Sequence, residues 1–419
     1  MRPFPASAPG PRYRADRVAG QLPLRYGSTR LTLLTSRFGR ENAVAAVRIG
    51  VVRETAPGER RVAAVPAVVS RLRQLGVEVL VETEAGAGAF LPDSAYVEAG
   101  ATVTEPDAVY AAEVLLCVQP PDPTRLKAGQ VLIGLLNPFG NKEQVAAWVE
   151  RGVTTVSLDL LPRTLSRAQS MDALTSQANI AGYKAAVLAA DTYGSYFPML
   201  MTAAGTAKPA QVLVLGVGVA GLSAIGTVRR LGAVVTGYDI RPETRDEVRS
   251  VGARFLELAA VAEGKGEGGY ARALTDEERA AQQEALQERI GDFDVVITTA
   301  QVPGRRPPQL VTQEALKGMR PGSVVVDLAA GPLGGNVEGS VPDRTIVVAD
   351  GVTVVGAGNL PAAMAPGASA AYARNVSALV AHLLPEGAPA IDVADEIQAA
   401  VVVTHDGAIV NPTVRSALS

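Results

Sequence analysis

The chain has one cysteine and two histidines in 419 residues. With Cys117 alone, no disulfide framework can form within it, which fits a reducing compartment, and its place in the apolar run 114–118 predicts a buried thiol in a strand. His382 and His405 are too few for a histidine-centred metal site, so no metal is expected, and a histidine acid–base would have to be one of these two. His382 falls in a helical stretch, where a structural role is expected, and His405 precedes Asp406-Gly407, which reads as a turn. Charge of one sign is missing as well: 39 Lys+Arg stand against 42 Asp+Glu, a net −3, so there is neither the basic field that nucleic acid requires nor an acidic tail. No run of about eighteen uncharged apolar residues reads as a membrane span. The nearest, 212–228, is accounted for by a strand, a glycine turn and a helix. There are no repeats at solenoid periods.

What is present is an ordinary globular composition, 47% hydrophobic and 19% charged, long enough for two domains, possibly three. Residues 1–47 differ from the rest, with eight arginines and only Asp16 and Glu41 as acids. They are expected to be a disordered tail or a start codon placed too early; a transit peptide is the alternative. From Arg48 onward strands and helices alternate. Strands are predicted at 49–52, 77–82, 114–118, 131–135 and 154–158, with helices at 66–75 and 142–150. A loop at 159–170 leads to a long helix over 172–193 and a second helix to about 204. Later strands are expected at 233–238, 294–298, 323–328 and 345–349, and the end is helical from about 368, then extended, returning to the first domain. Such alternation means parallel sheets with helices on both faces. The resulting fold class is α/β, with two doubly wound parallel-sheet domains and a cleft between them. One domain is 48–180 plus 365–419. The other is 181–364 and carries a mobile glycine-rich loop at about 259–276 with Tyr270 at its tip.

The segment Gln211-Val-Leu-Val-Leu-Gly216-Val-Gly218-Val219-Ala-Gly221 carries the strongest local chemistry. Gly216 permits the tight turn off a strand, Gly218 lets backbone approach a pyrophosphate, and Gly221 lets the next helix pack closely, with its first amides aimed at the phosphates. A second strand ends in Asp239, where an acid bonds the ribose hydroxyls of NAD and repels the 2′-phosphate of NADP. The neighbouring Arg241 pulls the other way, but the carboxylate at the strand end favours NAD(H) in this Rossmann-like half.

A second polar constellation runs from Pro162-Arg163 through Arg167-Ala-Gln169-Ser-Met-Asp172 to Thr175, with Asp172 suited to cap the following helix. This segment resembles the NAD(H)-binding subunit of proton-translocating nicotinamide nucleotide transhydrogenases, to which alanine dehydrogenases are related. The resemblance also rests on the glycine triplet, Met-Thr-Ala-Ala-Gly at 201–205, Thr-Thr-Ala at 298–300, Gly-Gly-Asn at 334–336 and the Gly-Gly-Tyr of the loop. It implies that Arg163, Gln169 and Asp172 hold the nicotinamide and its ribose, with Thr175 beside them. It further implies that Val219, Asp239, Ile240 and Arg241 line the adenosine side, that Gly269, Gln282 and Gln301 make further cofactor contacts, and that Tyr270 closes over the nucleotide. Family members are homodimers that work with a membrane-spanning partner and a separate NADP(H)-binding domain of the beta subunit, so a place at the inner face of the cytoplasmic membrane is implied, without a span of its own. Hydride transfer between two nicotinamides needs no protein proton donor, which suits a chain so poor in histidine.

Two departures stand out. Three residues, Thr164, Leu165 and Ser166, separate Pro-Arg from Arg-Ala-Gln where the family has two, and the stretch 329–334 is one residue longer. The alternative within the resemblance is an alanine dehydrogenase. Those enzymes carry a lysine near the position of Gln119, a histidine near Leu136 or Asn137, and an aspartate in the loop 330–333. This chain has none of the three.

Overall fold

Short valine-, isoleucine- and leucine-rich runs form the centres of two sheets in the computed structural model, which describes residues 46–241, 243–258, 276–301, 306–348 and 350–418. The first sheet begins with β1 (Arg48–Val51), β2 (Glu78–Glu82), β3 (Thr102–Thr104), β4 (Val114–Leu116), β5 (Val131–Gly134) and β6 (Thr154–Ser157), all parallel to their neighbours in the order β6-β5-β4-β1-β2-β3. A separate hairpin follows, β7 (Leu200–Thr202) with β8 (Gly205–Ala207). The second sheet comprises β9 (Gln211–Leu215), β10 (Val234–Tyr238), β11 (Arg254–Phe255), β12 (Val295–Thr298), β13 (Val324–Asp327), β14 (Thr345–Val348) and β15 (Val352–Gly356), in the order β11-β10-β9-β12-β13-β15-β14. The chain then returns to the first sheet, where β16 (Val402–His405) runs antiparallel to β6 and pairs with β17 (Ala408–Ile409). The turn between those two holds Asp406 and Gly407 at φ 47° and 71°, the left-handed pair that a two-residue hairpin requires.

The central strands are buried on both faces, which is why they read as continuous apolar runs and not as an alternation. In the first sheet Ile49, Val51, Val114 and Leu116 face one core with Tyr372, while Leu115, Cys117, Leu132 and Trp148 face the other. Cys117 lies just past β4 and is fully buried. Burial raises its thiol pKa well above the ordinary value, and the nearby Glu54 carboxylate adds to this, so it is an inert core residue. In the second sheet Val212, Val214, Val295 and Ile297 meet the helices on one side, and Leu213, Leu215, Val296 and Val325 those on the other.

Two long helices join the halves. Ala173–Thr192 leads into the second sheet and Ala365–Leu383 leads back. The first crosses Val219–Arg230 closely enough that a Cβ on Gly182 would stand 2.0 Å from the Ala220 carbonyl oxygen, so only glycine fits at the crossing.

Three expectations are corrected. The second helix expected up to 204 is the β7–β8 hairpin. Gly194 and Pro198 break helical continuity, and Gly205 at φ 134° turns the chain back. Within the run expected at 345–349, Thr345–Val348 forms an antiparallel edge strand, and the neighbouring parallel strand is β15, which carried no expectation. The expected loop 159–170 contains two short 3-10 turns, Leu158–Leu160 and Ser166–Met171. Among the described residues no helix is long and apolar enough to cross a membrane.

Candidate functional site

The strand order of the second sheet reverses between β9 and β12, and in open α/β sheets the crevice beyond such a point is where ligands sit. The loop after β9 is the glycine triplet. Gly216 adopts φ 87°, and its carbonyl accepts from Thr299 Oγ1 at 2.8 Å, joining it to the loop after β12. A Cβ on Gly221 would lie 2.0 Å from the Gly216 carbonyl oxygen, whereas one on Gly218 would meet nothing within 4 Å. Gly221 is thus required by packing, and Gly218 leaves room for a group to approach the backbone. Gly218 also caps the Val219–Arg230 helix without any side-chain cap, leaving its first amides for an incoming anion. This arrangement fits a dinucleotide pyrophosphate.

Asp239 closes the crevice at the end of β10. Its Oδ2 accepts from Val217 N at 2.7 Å and Arg241 Nη2 at 3.0 Å, and its Oδ1 from Arg241 N and Nε, both at 3.0 Å. Burial would raise its pKa, but the Arg241 guanidinium and the Val217 N–H outweigh it and hold the carboxyl below its ordinary value. All four acceptor positions of the carboxylate are taken, so bonding a ribose diol there requires the Arg241 side chain to turn away. Ile240 stands 71% exposed beside them, an apolar platform at the mouth of the crevice.

A cleft of about 400 Å3 opens where the two sheets face each other at the carboxyl ends of their strands. Asn137 and Asp159 line it from the first sheet, Leu174 from the linking helix, and Gln301, Ala329 and Leu333 from the second. Two residues before Leu174, Asp172 caps the linking helix, accepting from Thr175 N at 2.8 Å and Thr175 Oγ1 at 2.6 Å. Arg163 reaches the same cluster, Nε to Asp172 Oδ2 at 3.0 Å and Nη2 to Thr175 Oγ1 at 2.7 Å. The extra residue before Arg167 therefore leaves Arg163 joined to Asp172. Gln169 is exposed on the 3-10 turn that precedes them, between the buried Ala168 and Met171.

The expected site residues thus form two groups, neither of which lines this cleft: Arg163, Asp172 and Thr175, with Gln169 beside them in sequence, and Gly216, Gly218, Val219, Gly221, Asp239, Ile240 and Arg241. Gln301 joins the cleft lining, held by Nε2 to the Leu328 carbonyl at 2.7 Å. Gln282 lies on the Asp276–Ile290 helix and does not line the cleft. Gly269, Tyr270 and the loop about 259–276 fall almost wholly outside the described residues.

Asp327 escaped sequence reasoning, and Asn336 entered it only as the end of the Gly-Gly-Asn motif. Asp327, fully buried at the end of β13, accepts from Thr298 Oγ1 at 2.9 Å and from the backbone of Ala329, Asn336 and Val337. Asn336 clasps Ala300 through both its N–H and its C=O. Together they bind the loops after β12 and β13 into one wall of the cleft. A polar residue closing an apolar strand was the available signal.

The first sheet has its own reversal point, between β1 and β4, and a pocket of about 200 Å3 there is lined by charged side chains, Glu54, Glu59 and Arg61 among them. The Glu54 carboxylate accepts from Val118 N and Gln119 N. Beside it Glu59 and Arg61, with side chains 0% and 4% exposed, form a fork of Nε to Oε1 at 2.7 Å and Nη2 to Oε2 at 2.6 Å. Arg61 Nη1 donates to Gln177 Oε1 at 2.9 Å. Burial pushes the Glu54 carboxyl up to about 7, against the two backbone N–H groups, with Glu59 adding to the rise. Its folded pKa lies above its unfolded value, so the folded state binds the extra proton and stability falls as pH rises from about 4.5 through 7. A Glu54→Gln chain should escape this loss. Measured by denaturant unfolding, its stability relative to the parent should improve by roughly 2–3 kcal/mol from pH 4.5 to 8, and a pH-independent difference would refute the assignment.

Comparison with known proteins agrees with this geometry. Residues 50–181 match the family Alanine dehydrogenase/PNT, N-terminal domain, and residues 185–412 match Alanine dehydrogenase/PNT, C-terminal domain. The chain is 42% identical over 375 residues to the NAD(P) transhydrogenase subunit alpha of Cereibacter sphaeroides, covering 87% of this chain and 71% of that one. It is 30% identical over 384 residues to the alanine dehydrogenase of Mycolicibacterium smegmatis, covering 88% and 96%. Among solved structures, a transhydrogenase from Sinorhizobium meliloti superposes with a TM-score of 0.76 at 40% identity, covering 87% of this chain and 99% of that one.

Proposed function

The chain belongs to the alanine dehydrogenase/PNT family, and from that membership we propose that it is the NAD(H)-binding alpha-type subunit of a proton-translocating transhydrogenase. In this reading residues 181–364 hold the dinucleotide, residues 48–180 with 365–419 form the opposite wall, and the cleft stays open to NADP(H) on a partner domain. The bound nicotinamide supplies the hydride chemistry. The protein binds and orients: the Gly216–Gly221 turn takes the pyrophosphate, Asp239 the ribose, and Arg163, Gln169, Asp172 and Thr175 the nicotinamide end, with Gln301 across the cleft. Gln282, Gly269 and Tyr270 are further contacts of the same cofactor. We assign proton translocation to membrane-spanning partner subunits and place a homodimer of this chain on the cytoplasmic side against them.

The pairing of Arg61 in the first sheet's crevice carries this reading over an amino-acid dehydrogenase. A substrate carboxylate there would need a free cation. Arg61 is committed to Glu59 and Gln177, and Gln119 and Asn137 stand where the lysine and histidine of that chemistry are expected, so substrate binding and proton transfer have no partners. The identities run the same way, 42% against 30%.

Mixed with the NADP(H)-binding partner domain, the purified chain should reduce an NAD analogue from NADPH, and calorimetry should find tighter binding of NADH than of NADPH. Rapid NADH oxidation with pyruvate and ammonium would overturn the reading. Tight NADH binding without transfer would make the chain a sensing subunit instead.

A further inference from the structure

The nicotinamide-side segment is held from the far end of the chain. The 3-10 turn Ser166–Met171 plugs its Ala168 and Met171 into the first core and leaves Gln169 outward. The residues flanking Gln169 have distant partners. Arg167 donates through Nη1 to Asp395 Oδ2 at 3.0 Å and through Nη2 to Glu396 Oε2 at 3.2 Å. The Ser170 carbonyl accepts from Asn375 Nδ2 at 2.9 Å, and Asn375 Oδ1 is buried without a partner among the described residues. Asn375 therefore points one way only, towards the turn.

Asp395 is itself held. Its Oδ1 caps the Glu396–Val401 helix, accepting from Ile397 N and Gln398 N, each at 3.0 Å, and meets His382 Nε2 at 2.9 Å. Burial opposes its ionisation, but the Gln398 N–H, His382 and Arg167 hold the carboxyl at about 2, so Arg167 faces a permanent anion. One oxygen serves the cap and the histidine, the other the arginine. The Arg167 side chain is 51% exposed, and exposed pairs of this kind contribute little to stability. Its work is to fix direction, not to hold the fold together.

We propose that Asp395, acting through Arg167, is a positioning residue for the nicotinamide-side segment Gln169–Asp172, setting its register for hydride transfer. The proposal rests on the functional reading above. Asp395→Asn isolates the arginine-facing charge, because asparagine caps a helix about as well as aspartate. In the full chain mixed with its NADP(H)-binding partner, the rate at saturating NADH should fall about tenfold, since small misplacements are costly in hydride geometry, while the NADH Kd changes less than about threefold. Arg167→Met should give a similar loss, and the double variant Arg167→Met/Asp395→Asn no more than either alone. Additive losses, or an unchanged saturated rate, would overturn the proposal by leaving Asp395 only its cap. Amide hydrogen exchange across residues 166–172 decides independently of turnover. It should quicken in Arg167→Met with the melting temperature nearly unchanged, and unaltered exchange refutes the brace even where the parent chain shows no transfer. Absence of transfer in the parent with exchange responding as expected would leave the brace standing and sink only the functional reading.

Discussion

Arg61→Met should be among the most destabilising single substitutions in the first half, lowering the unfolding free energy by about 3–5 kcal/mol. The loss comes from what remains, because Glu59 keeps a side chain with no exposed surface. Burial opposes ionisation of Glu59, and it is the Arg61 hydrogen bonds and charge that hold its pKa down to about 2. Without the guanidinium, Gln119 at 3.3 Å and Asn359 at 3.4 Å are the remaining side-chain donors, and two neutral amides do not replace a cation. In the parent, the depressed pKa means that the pair's stabilisation is complete above about 4.5 and is lost as pH falls towards 2. In Arg61→Met the sign reverses. A buried carboxyl with a raised pKa favours folding at low pH, so the deficit should shrink on acidification. The double variant Glu59→Gln/Arg61→Met should recover most of the loss, as replaced buried pairs commonly do. Denaturant unfolding at pH 5 and pH 8 reads both effects. A deficit below about 1 kcal/mol at pH 8, or one that grows on acidification, would mean that Arg61 does not neutralise Glu59.

That network marks the limit of what could be read in advance. The glycine triplet was legible because each glycine answers a local demand: a positive φ at Gly216, open space at Gly218 and a close packing contact at Gly221. The central strands were legible because burial on both faces leaves a run of branched apolar residues. Asp172 as a helix cap followed from its place ahead of a long helical pattern. The side-chain partners were not legible. Arg61 meets Gln177 and Asn359, and Arg167 meets Asp395, across more than a hundred residues of sequence, and no periodicity records such pairs. The β7–β8 hairpin was missed for a different reason. Its residues from Met201 to Thr206 are exposed, so burial imposes no apolar alternation from which a strand could be inferred. Strand β15 was overlooked because only three residues separate Val348, the end of β14, from Val352, and two adjacent valine-rich runs read as one.

Asp172→Asn and Asp172→Ala should separate the two tasks that one carboxylate performs at the start of the linking helix. It caps the linking helix through Oδ1 to Thr175 N, and through Oδ2 it receives Arg163 and the Thr175 hydroxyl. Asparagine preserves the cap, since its carbonyl accepts the same backbone N–H, but its amide turns donors towards Arg163. Alanine removes both functions, and losing the cap costs about 1 kcal/mol. The two variants should therefore differ in unfolding midpoint, with asparagine close to the parent. In transfer to the partner's cofactor they should be alike. Both release Arg163, which is 48% exposed and has only the Thr175 hydroxyl left to hold it, and the rate should fall about 100-fold, the scale of a misplaced orienting group. Thr175→Val supplies the control, because it leaves the Arg163–Asp172 pair in place while removing the hydroxyl between them, and its loss should be smaller. A transfer rate for Asp172→Asn equal to the parent's would show that Asp172 serves the helix alone and would remove the Arg163 cluster from the nicotinamide end of the site.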